Sequence, residues 1–335
     1  MNNKDKTIGF WLFLVAGMVF GMVVLGGLTR LTESGLSMVN WKPVTGWLPP
    51  LSGAEWQAMF ELYQQSPQYL KINLGMSLNE FQEIFWLEFL HRLWGRLIGL
   101  AFGLPLIFFI VKGWISKSMI APLCMLFVLG GAQGVLGWYM VKSGLVDDPE
   151  VSQYRLMAHL GFAFVLYAAL IWTGLSFIKQ KKFQQITHSF KSLSLVLWGL
   201  SFVTILAGAL VAGLNAGLVY NTFPLMDGDL IPNGMLSLNP WFLNHFENIT
   251  TVQFQHRLLA LTTLFLTVGM YLKFRKCAGS AQNALLLCKI VIFIQVGLGI
   301  ATLLMVVPTH LASLHQACGL LLFTAITWLN FETRR

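Results

Sequence analysis

Four histidines carry the chemistry that this sequence offers. His91, His159, His256 and His315 each stand near the start of a long apolar stretch. In the first, EFLHRLWGRLIGLAFGLPLIFFIV (Glu88–Val111), a glutamate, a histidine and two arginines precede a run long enough to cross a bilayer. An ionisable residue near the middle of such a span costs about 2.5–3.5 kcal/mol on insertion scales. Arg92 and Arg96 can snorkel, and Glu88 can sit in the interface. Histidine has no long stem, so it must stay near the surface or bond something inside. Neutral imidazole is a standard ligand for iron and other transition metals. A closely spaced metal cluster is not the chemistry here, because no HxxxH or HxxH motif occurs.

The elements that must position these residues are membrane helices. Of the 335 residues, 56% are hydrophobic and only 11% are charged. An ordinary soluble domain carries about 25% charge. Runs of about 20 apolar residues give eight predicted spans, at 9–28, 89–111, 119–141, 156–178, 193–213, 254–273, 285–307 and 311–331. The expected fold class is an all-α integral membrane protein. The first span is too long for a signal h-region, and neither a small-residue cleavage site nor an Arg- and Ser-rich transit segment accompanies it. A bacterial inner (plasma) membrane is the expected location.

A net charge of +8 could suggest nucleic acid, but its distribution excludes that reading. Lys4, Lys6, Lys112, Lys117, Lys179, Lys181, Lys182, Lys191, Lys273, Arg275, Lys276, Arg334 and Arg335 all fall on one side of the eight spans. The positive-inside rule makes that side, and both termini, cytoplasmic. Twelve of the fourteen acids lie on the other side or at its rim.

The chain also repeats itself. GGLTRLTESGL (Gly26–Leu36) resembles GALVAGLNAGL (Gly208–Leu218), and EFLHRL (Glu88–Leu93) resembles QFQHRL (Gln253–Leu258). QGVLGWYMV (Gln133–Val141) resembles QVGLGIATL (Gln295–Leu303), and AHLGFAF (Ala158–Phe164) parallels LHQACGLLLF (Leu314–Phe323). Two tandem, pseudo-symmetric four-helix bundles are expected, residues 1–180 and 192–335, joined by a cytoplasmic linker at 181–191. Each half has an even number of spans, so the repeat is parallel.

The repeat puts the four histidines at equivalent places, each expected within about one 5.4 Å turn of a helix's outer end. Two histidines facing each other across a four-helix bundle can hold a haem by both axial positions. Gly95, Gly99, Gly134, Gly137 and Gly161 could leave room for a flat macrocycle, although glycine also lets membrane helices pack closely. A solitary histidine at a helix end is more often bonded to water, the reading adopted for His188, His245 and His310. Arg30, Arg92, Arg155 and Arg257 sit beside the ligands or at outer helix ends, where guanidinium groups could bind haem propionates. They could equally anchor helix ends, or pair as Arg92 can with Glu88 at i,i+4. Cys124, Cys277, Cys288 and Cys318 lie outside the predicted outer loops and show no CxxC spacing. They read as small apolar residues, with Cys277 a reduced cytoplasmic thiol.

GGLTRLTESGLSM, EFLHRLWGRLIG, GVLGWYMVKSGL, GLVYNTFPLMDG, QFQHR and LHQA together resemble the haem A synthase family, across nearly the whole chain. The resemblance implies oxidation of the C8 methyl of haem O to a formyl group, giving haem A for terminal cytochrome oxidase. It implies His91 and His159 as ligands of substrate haem O, and His256 and His315 as ligands of a resident haem b. Glu88 matches the family glutamate three residues before the first ligand and is the candidate catalytic residue. The active site would face the periplasm. Haem O synthase would be the donor and cytochrome oxidase assembly the acceptor, and a homo-oligomer is compatible. One branch of the family has a cysteine pair in the first outer loop, but residues 29–88 here contain no cysteine. The long outer loop, with SGLSMVNWKP and WQAMFELYQQ, resembles the mitochondrial and proteobacterial branch.

Two other classes fit parts of the pattern. A di-haem b-type electron-transfer protein would use all four histidines for permanent haems. A parallel-repeat transporter would use them as proton relays. Unlike residues at equivalent positions, such as Glu88 and Gln253, favour the enzyme, because an electron carrier has less reason to differentiate its halves.

Overall fold

The computed structural model describes residues 2–40, 45–146, 149–179, 186–276 and 279–334. Cys277, Lys181, Lys182, Arg335 and residues 181–185 of the expected linker lie outside the described residues. In chain order the helices are α1 (Asn3–Leu31), α2 (Gly53–Gln64), α3 (Pro67–Lys71), α4 (Leu78–Val111), α5 (Lys117–Lys142), α6 (Gln153–Ile178), α7 (His188–Gly213), α8 (Asn244–Glu247), α9 (Ile249–Phe274), α10 (Ser280–Leu304) and α11 (Thr309–Arg334). Among the described residues, eight helices are long and apolar enough to cross a membrane: α1, α4, α5, α6, α7, α9, α10 and α11. They correspond one for one to the eight expected spans.

Local chemistry explains where the helices start. Ser77 caps α4 by accepting from the Glu80 amide, and Glu80 reaches back to the Ser77 amide. This capping box lets α4 begin eleven residues before the apolar run. His91 therefore stands roughly 20 Å inside the helix at 1.5 Å per residue, not within one turn of its end as the sequence suggested. The other three ligand candidates are nearer their helix starts, at about 10 Å by the same rise, which is still almost two turns in and not the one turn expected. Ser52 and Glu55 form a second capping box on α2, and Asn248 caps α9 through the Thr251 amide.

The chain divides into two compact units, Gly17–His159 and Met1–Ala16 with Leu160–Arg335. In the first, α4 packs on α5, where Phe102 stacks on Phe127 with ring centroids 5.9 Å apart. Beside them, α2 and the N-terminal extension of α4 enclose an aromatic cluster of Phe60, Tyr63, Phe81, Phe85 and Phe89. Gln68, buried beneath it, donates to the Glu33 carbonyl at 2.7 Å and so ties this layer to the end of α1.

In the second unit, α7 packs on α9 and α11, and α10 packs on the same two helices, closing a four-helix ring. One end of the ring is filled with apolar side chains. Phe190, Leu197, Met270, Phe274, Leu285 and Ile326 meet there, and Phe190 stacks on Phe274 at 4.4 Å. Cys288 is fully buried in this cluster, as expected for a small apolar residue. Because neighbouring helices run antiparallel, the opposite end holds Gly208, His256, Gln295, Gly299 and His315.

Candidate functional site

Within Gly17–His159, α4 carries His91 and α6 carries His159, within electrostatic reach of each other. Each ring lies edge-on against a glycine of another helix. A Cβ built on Gly26 of α1 would stand 2.9 Å from His91 Cε1, and one built on Gly137 of α5 would stand 2.9 Å from His159 Cε1. Real Cβ atoms do not approach so closely, so only glycine leaves these slots open. The His91 Nδ1 lies 3.5 Å from Thr29 Oγ1, while that hydroxyl donates to the Leu25 carbonyl at 2.8 Å. The Gln133 amide lies 3.2 Å from His159 Nδ1 and donates to the His159 carbonyl at 2.9 Å.

The second pair lies on α9 and α11. His256 and His315 are also within electrostatic reach of each other. The Cβ contacts recur: Gly208 of α7 would meet His256 Cε1 at 3.0 Å, and Gly299 of α10 would meet His315 Cε1 at 2.8 Å. His256 Nδ1 stands 3.1 Å from the Thr204 carbonyl, a donor–acceptor pair when that nitrogen carries the proton. The Gln295 amide nitrogen lies 3.4 Å from His315 Nε2. His315 Nδ1, Gln295 Oε1 and Gln133 Oε1 are buried without a hydrogen-bond partner. Paired imidazoles in glycine slots, with polar atoms held in reserve beside them, fit the donor set of a haem bound from both faces.

The expected glycines are only partly the right ones. Of Gly95, Gly99, Gly134, Gly137 and Gly161, Gly137 alone approaches a ligand candidate; Gly95 faces Met22, Gly161 faces Leu206, and Gly99 and Gly134 face open space. Gly26, Gly208 and Gly299, together with Gln133 and Gln295, were visible in the repeated segments only as matching letters. Their common feature, Gln-x-x-x-Gly on α5 and α10, is the signal that could have found the second slot of each pair.

Glu88 and the arginines do a specific job in this structure. Past Leu31 the chain makes a left-handed residue, Glu33 at φ 53°, and a short 3-10 turn at Ser34–Leu36. The Glu88 carboxylate, 3% exposed, accepts from Ser37 Oγ and the Met38 amide, both at 2.7 Å, and pairs with Arg92 at 2.5 Å. Arg92 also donates to the carbonyls of Met38 and Asn40, at 2.8 and 3.1 Å. After α7, Asn215 at φ 51° opens the corresponding 3-10 turn, Ala216–Leu218. There Gln253 donates to the Ala216 and Tyr220 carbonyls at 2.9 and 3.1 Å, and Arg257 donates to Tyr220 and Thr222 at 2.7 and 2.8 Å.

Arg92 and Arg257 thus hold loop backbones beside the ligands. Arg155 donates to the Tyr139 carbonyl at 2.8 Å and stacks 3.8 Å over the Tyr139 ring. Arg30 lies in the last turn of α1. The remaining histidines stand apart from the two pairs. His188 and His310 are exposed, and His245 exchanges hydrogen bonds with Gln255. Among the described residues, no group of three or more His, Cys, Asp or Glu side chains converges on a point.

A model of the family described as cytochrome oxidase assembly protein matches residues 9–327. A protein of Nitrosospira multiformis named Heme A synthase is 52% identical over 336 residues, covering 99% of this chain and 94% of the relative. One of the same name from Parvibaculum lavamentivorans is 49% identical over 334 residues, 98% of this chain and 96% of the relative. The human protein named Heme A synthase COX15 is 46% identical over 342 residues, 99% of this chain and 83% of the human protein. With its slotted histidine pairs and a match along almost its entire length, this chain belongs to the haem A synthase family.

Proposed function

We propose that the protein converts haem O to haem A, as a multi-pass enzyme of the bacterial inner membrane with both termini in the cytoplasm and its active site on the periplasmic side. Its substrate half, residues 1–180, holds haem O between His91 and His159. Its other half, residues 192–335, holds a resident haem b between His256 and His315. The observation that carries this reading is the fourfold slot, in which each histidine rests against a glycine on a neighbouring helix.

Turning a methyl group into a formyl group removes four electrons, and a resident haem b supplies a centre that passes electrons one at a time. The chain's own residues bind, orient and shield. His91 and His159 fix the substrate macrocycle, so that one edge and its methyl group are presented in a constant position. Glu88 lies three residues before His91, on the same face of α4, and is the group proposed to hold or move a proton and to stabilise positive charge. Gln253, its counterpart, is neutral and suits a site that does no chemistry. Arg92 and Arg257 spend their terminal nitrogens on loop carbonyls and Arg155 spends one on the Tyr139 carbonyl; with Arg30, all four are the proposed propionate partners. Haem O synthase is the proposed donor and cytochrome oxidase assembly the acceptor. The isoprenoid tail of haem O favours entry from lipid between helices.

Expression together with haem O synthase, followed by chromatography of the extracted haems, tests the reading. Haem b together with haem A is the expected result. Two equivalents of haem b and no haem A would instead identify a di-haem electron carrier, and no haem at all would favour a transporter.

A further inference from the structure

We propose that a groove between α6 and α7, floored by α11, binds an anionic phospholipid, with an acyl chain between the helices and the phosphate on Arg334. The groove lies within the second compact unit and shares no lining residue with either histidine pair.

Val165, Ala169 and Trp172 of α6 and Leu195 and Trp198 of α7 form its apolar walls around about 320 Å³ of space. The walls are fixed in place. The Trp198 indole donates to Thr327 Oγ1 at 3.1 Å, and Trp172 stands edge-on to Phe331 with ring centroids 5.2 Å apart. Val165, Trp172 and Leu195 remain 42%, 37% and 55% exposed, so the groove opens where a membrane helix meets lipid. Tyr167 meets Thr324 and Trp172 meets Phe331, so α6 and α11 run in the same direction. Arg334, the last residue of α11, therefore comes at the end of the groove, where the basic segments lie.

Buried polar groups orient this arginine. Its Nη1 donates to Asn330 Oδ1 at 2.7 Å and to the Asn330 carbonyl at 3.2 Å. Asn330, itself buried, donates to the Ser194 and Ile326 carbonyls at 2.6 and 3.1 Å. The Arg334 Nη2 makes a long, exposed contact, 3.4 Å to the Lys191 carbonyl. One edge of the guanidinium is thus clamped, and the other is placed to fork onto a phosphate. Lys191 is exposed and adds a second positive charge. The nearby acid, Glu332, is already compensated by Lys179, Ser280 and Trp328. Basic pockets between membrane helices are suited to anionic headgroups. The isoprenoid tail of haem O is a poorer occupant. At 3.6 residues per turn, Val165, Ala168, Ala169 and Trp172 sit roughly 180–280° around α6 from His159, so a tail would have to round the helix.

The test uses the purified full chain in nanodiscs of equal parts phosphatidylglycerol and phosphatidylcholine, with retained lipids counted by native mass spectrometry. The parent should retain phosphatidylglycerol about fivefold over phosphatidylcholine, the weight of one basic group near a bilayer surface. Arg334→Gln should remove that preference. Ala169→Phe, which fills the groove and leaves every charge in place, should lower phosphatidylglycerol retention. Both variants should keep the parent's haem spectrum. Should Arg334→Gln fail to accumulate, Ala169→Phe decides the matter. No preference in the parent, an unchanged preference in Arg334→Gln or parental retention in Ala169→Phe would overturn the proposal. Displacement of phosphatidylglycerol by added haem O would assign the groove to the isoprenoid tail and overturn it as well.

Discussion

Ser37 and Glu88, fifty-one positions apart in sequence, are joined by a 2.7 Å hydrogen bond between hydroxyl and buried carboxylate. Through this bond, the Met38 amide and Arg92, the loop leaving α1 is held against the helix that carries His91. Gln253 and Arg257 hold the other loop by carbonyls alone. The two loops therefore share a tether, but only one includes a negative charge.

Glu88→Gln is expected to keep haem b and to bind haem O, yet to make little or no haem A. Ser37→Ala removes one neutral donor to a charged acceptor, worth about 1.5–3 kcal/mol, and leaves the carboxylate in place. It should retain most of the haem A output per folded protein. Chromatography of extracted haems from both variants checks the pair. Near-normal output from Glu88→Gln would reduce Glu88 to a loop tether.

Arg92→Ala leaves the same carboxylate buried without its ion pair. Removing one partner of a buried pair costs about 3–5 kcal/mol. The expected result is a lower melting temperature and easier proteolysis of the loop after α1, measured on the purified protein. Parental stability would show that Glu88 does not need its partner.

The four histidines should divide into two classes. His256→Ala or His315→Ala should lose resident haem b, seen in the reduced-minus-oxidised spectrum. His91→Ala or His159→Ala should retain it and make no haem A. Equal loss of one spectral species from all four variants would end the assignment of separate roles.

Orientation can be read with fusions. A reporter after Val151 should score periplasmic and one after Lys182 cytoplasmic, because the basic segments lie together on one side. The reverse pattern would move the active site to the cytoplasmic face.

At the cytoplasmic end expected from the charges, Lys179 pairs with Glu332, whose carboxylate also accepts from Ser280 and the Trp328 indole. Lys179→Met strands a buried charge, at a cost of about 3–5 kcal/mol. Reduced thermal stability with haem b still bound at first purification is the expected outcome. A melting temperature equal to the parent's would show that Ser280 and Trp328 suffice.

What the sequence alone determined are properties that depend on local composition and spacing. Eight apolar runs gave eight helices, because hydropathy over about 20 residues is a local quantity. The repeated motifs picked out the four histidines from seven, because equivalent positions in duplicated segments can be matched letter by letter. The end of a helix is less local. Ser77 and Glu80 extended α4 beyond its apolar run, which placed His91 deeper within the helix than hydropathy implied.

Tertiary structure decided everything that depends on how a helix is rotated and where a loop returns. Rotation chose Gly26, Gly137, Gly208 and Gly299 as the ring slots and left Gly99 and Gly134 facing open space. Loop return gave Glu88 to Ser37 and Met38, and spent Arg92 and Arg257 on backbone carbonyls. Glycine types and arginine types are written in the chain. Which neighbour each one meets is set only when helices distant in sequence pack side by side, since a contact at 3 Å depends on both surfaces at once.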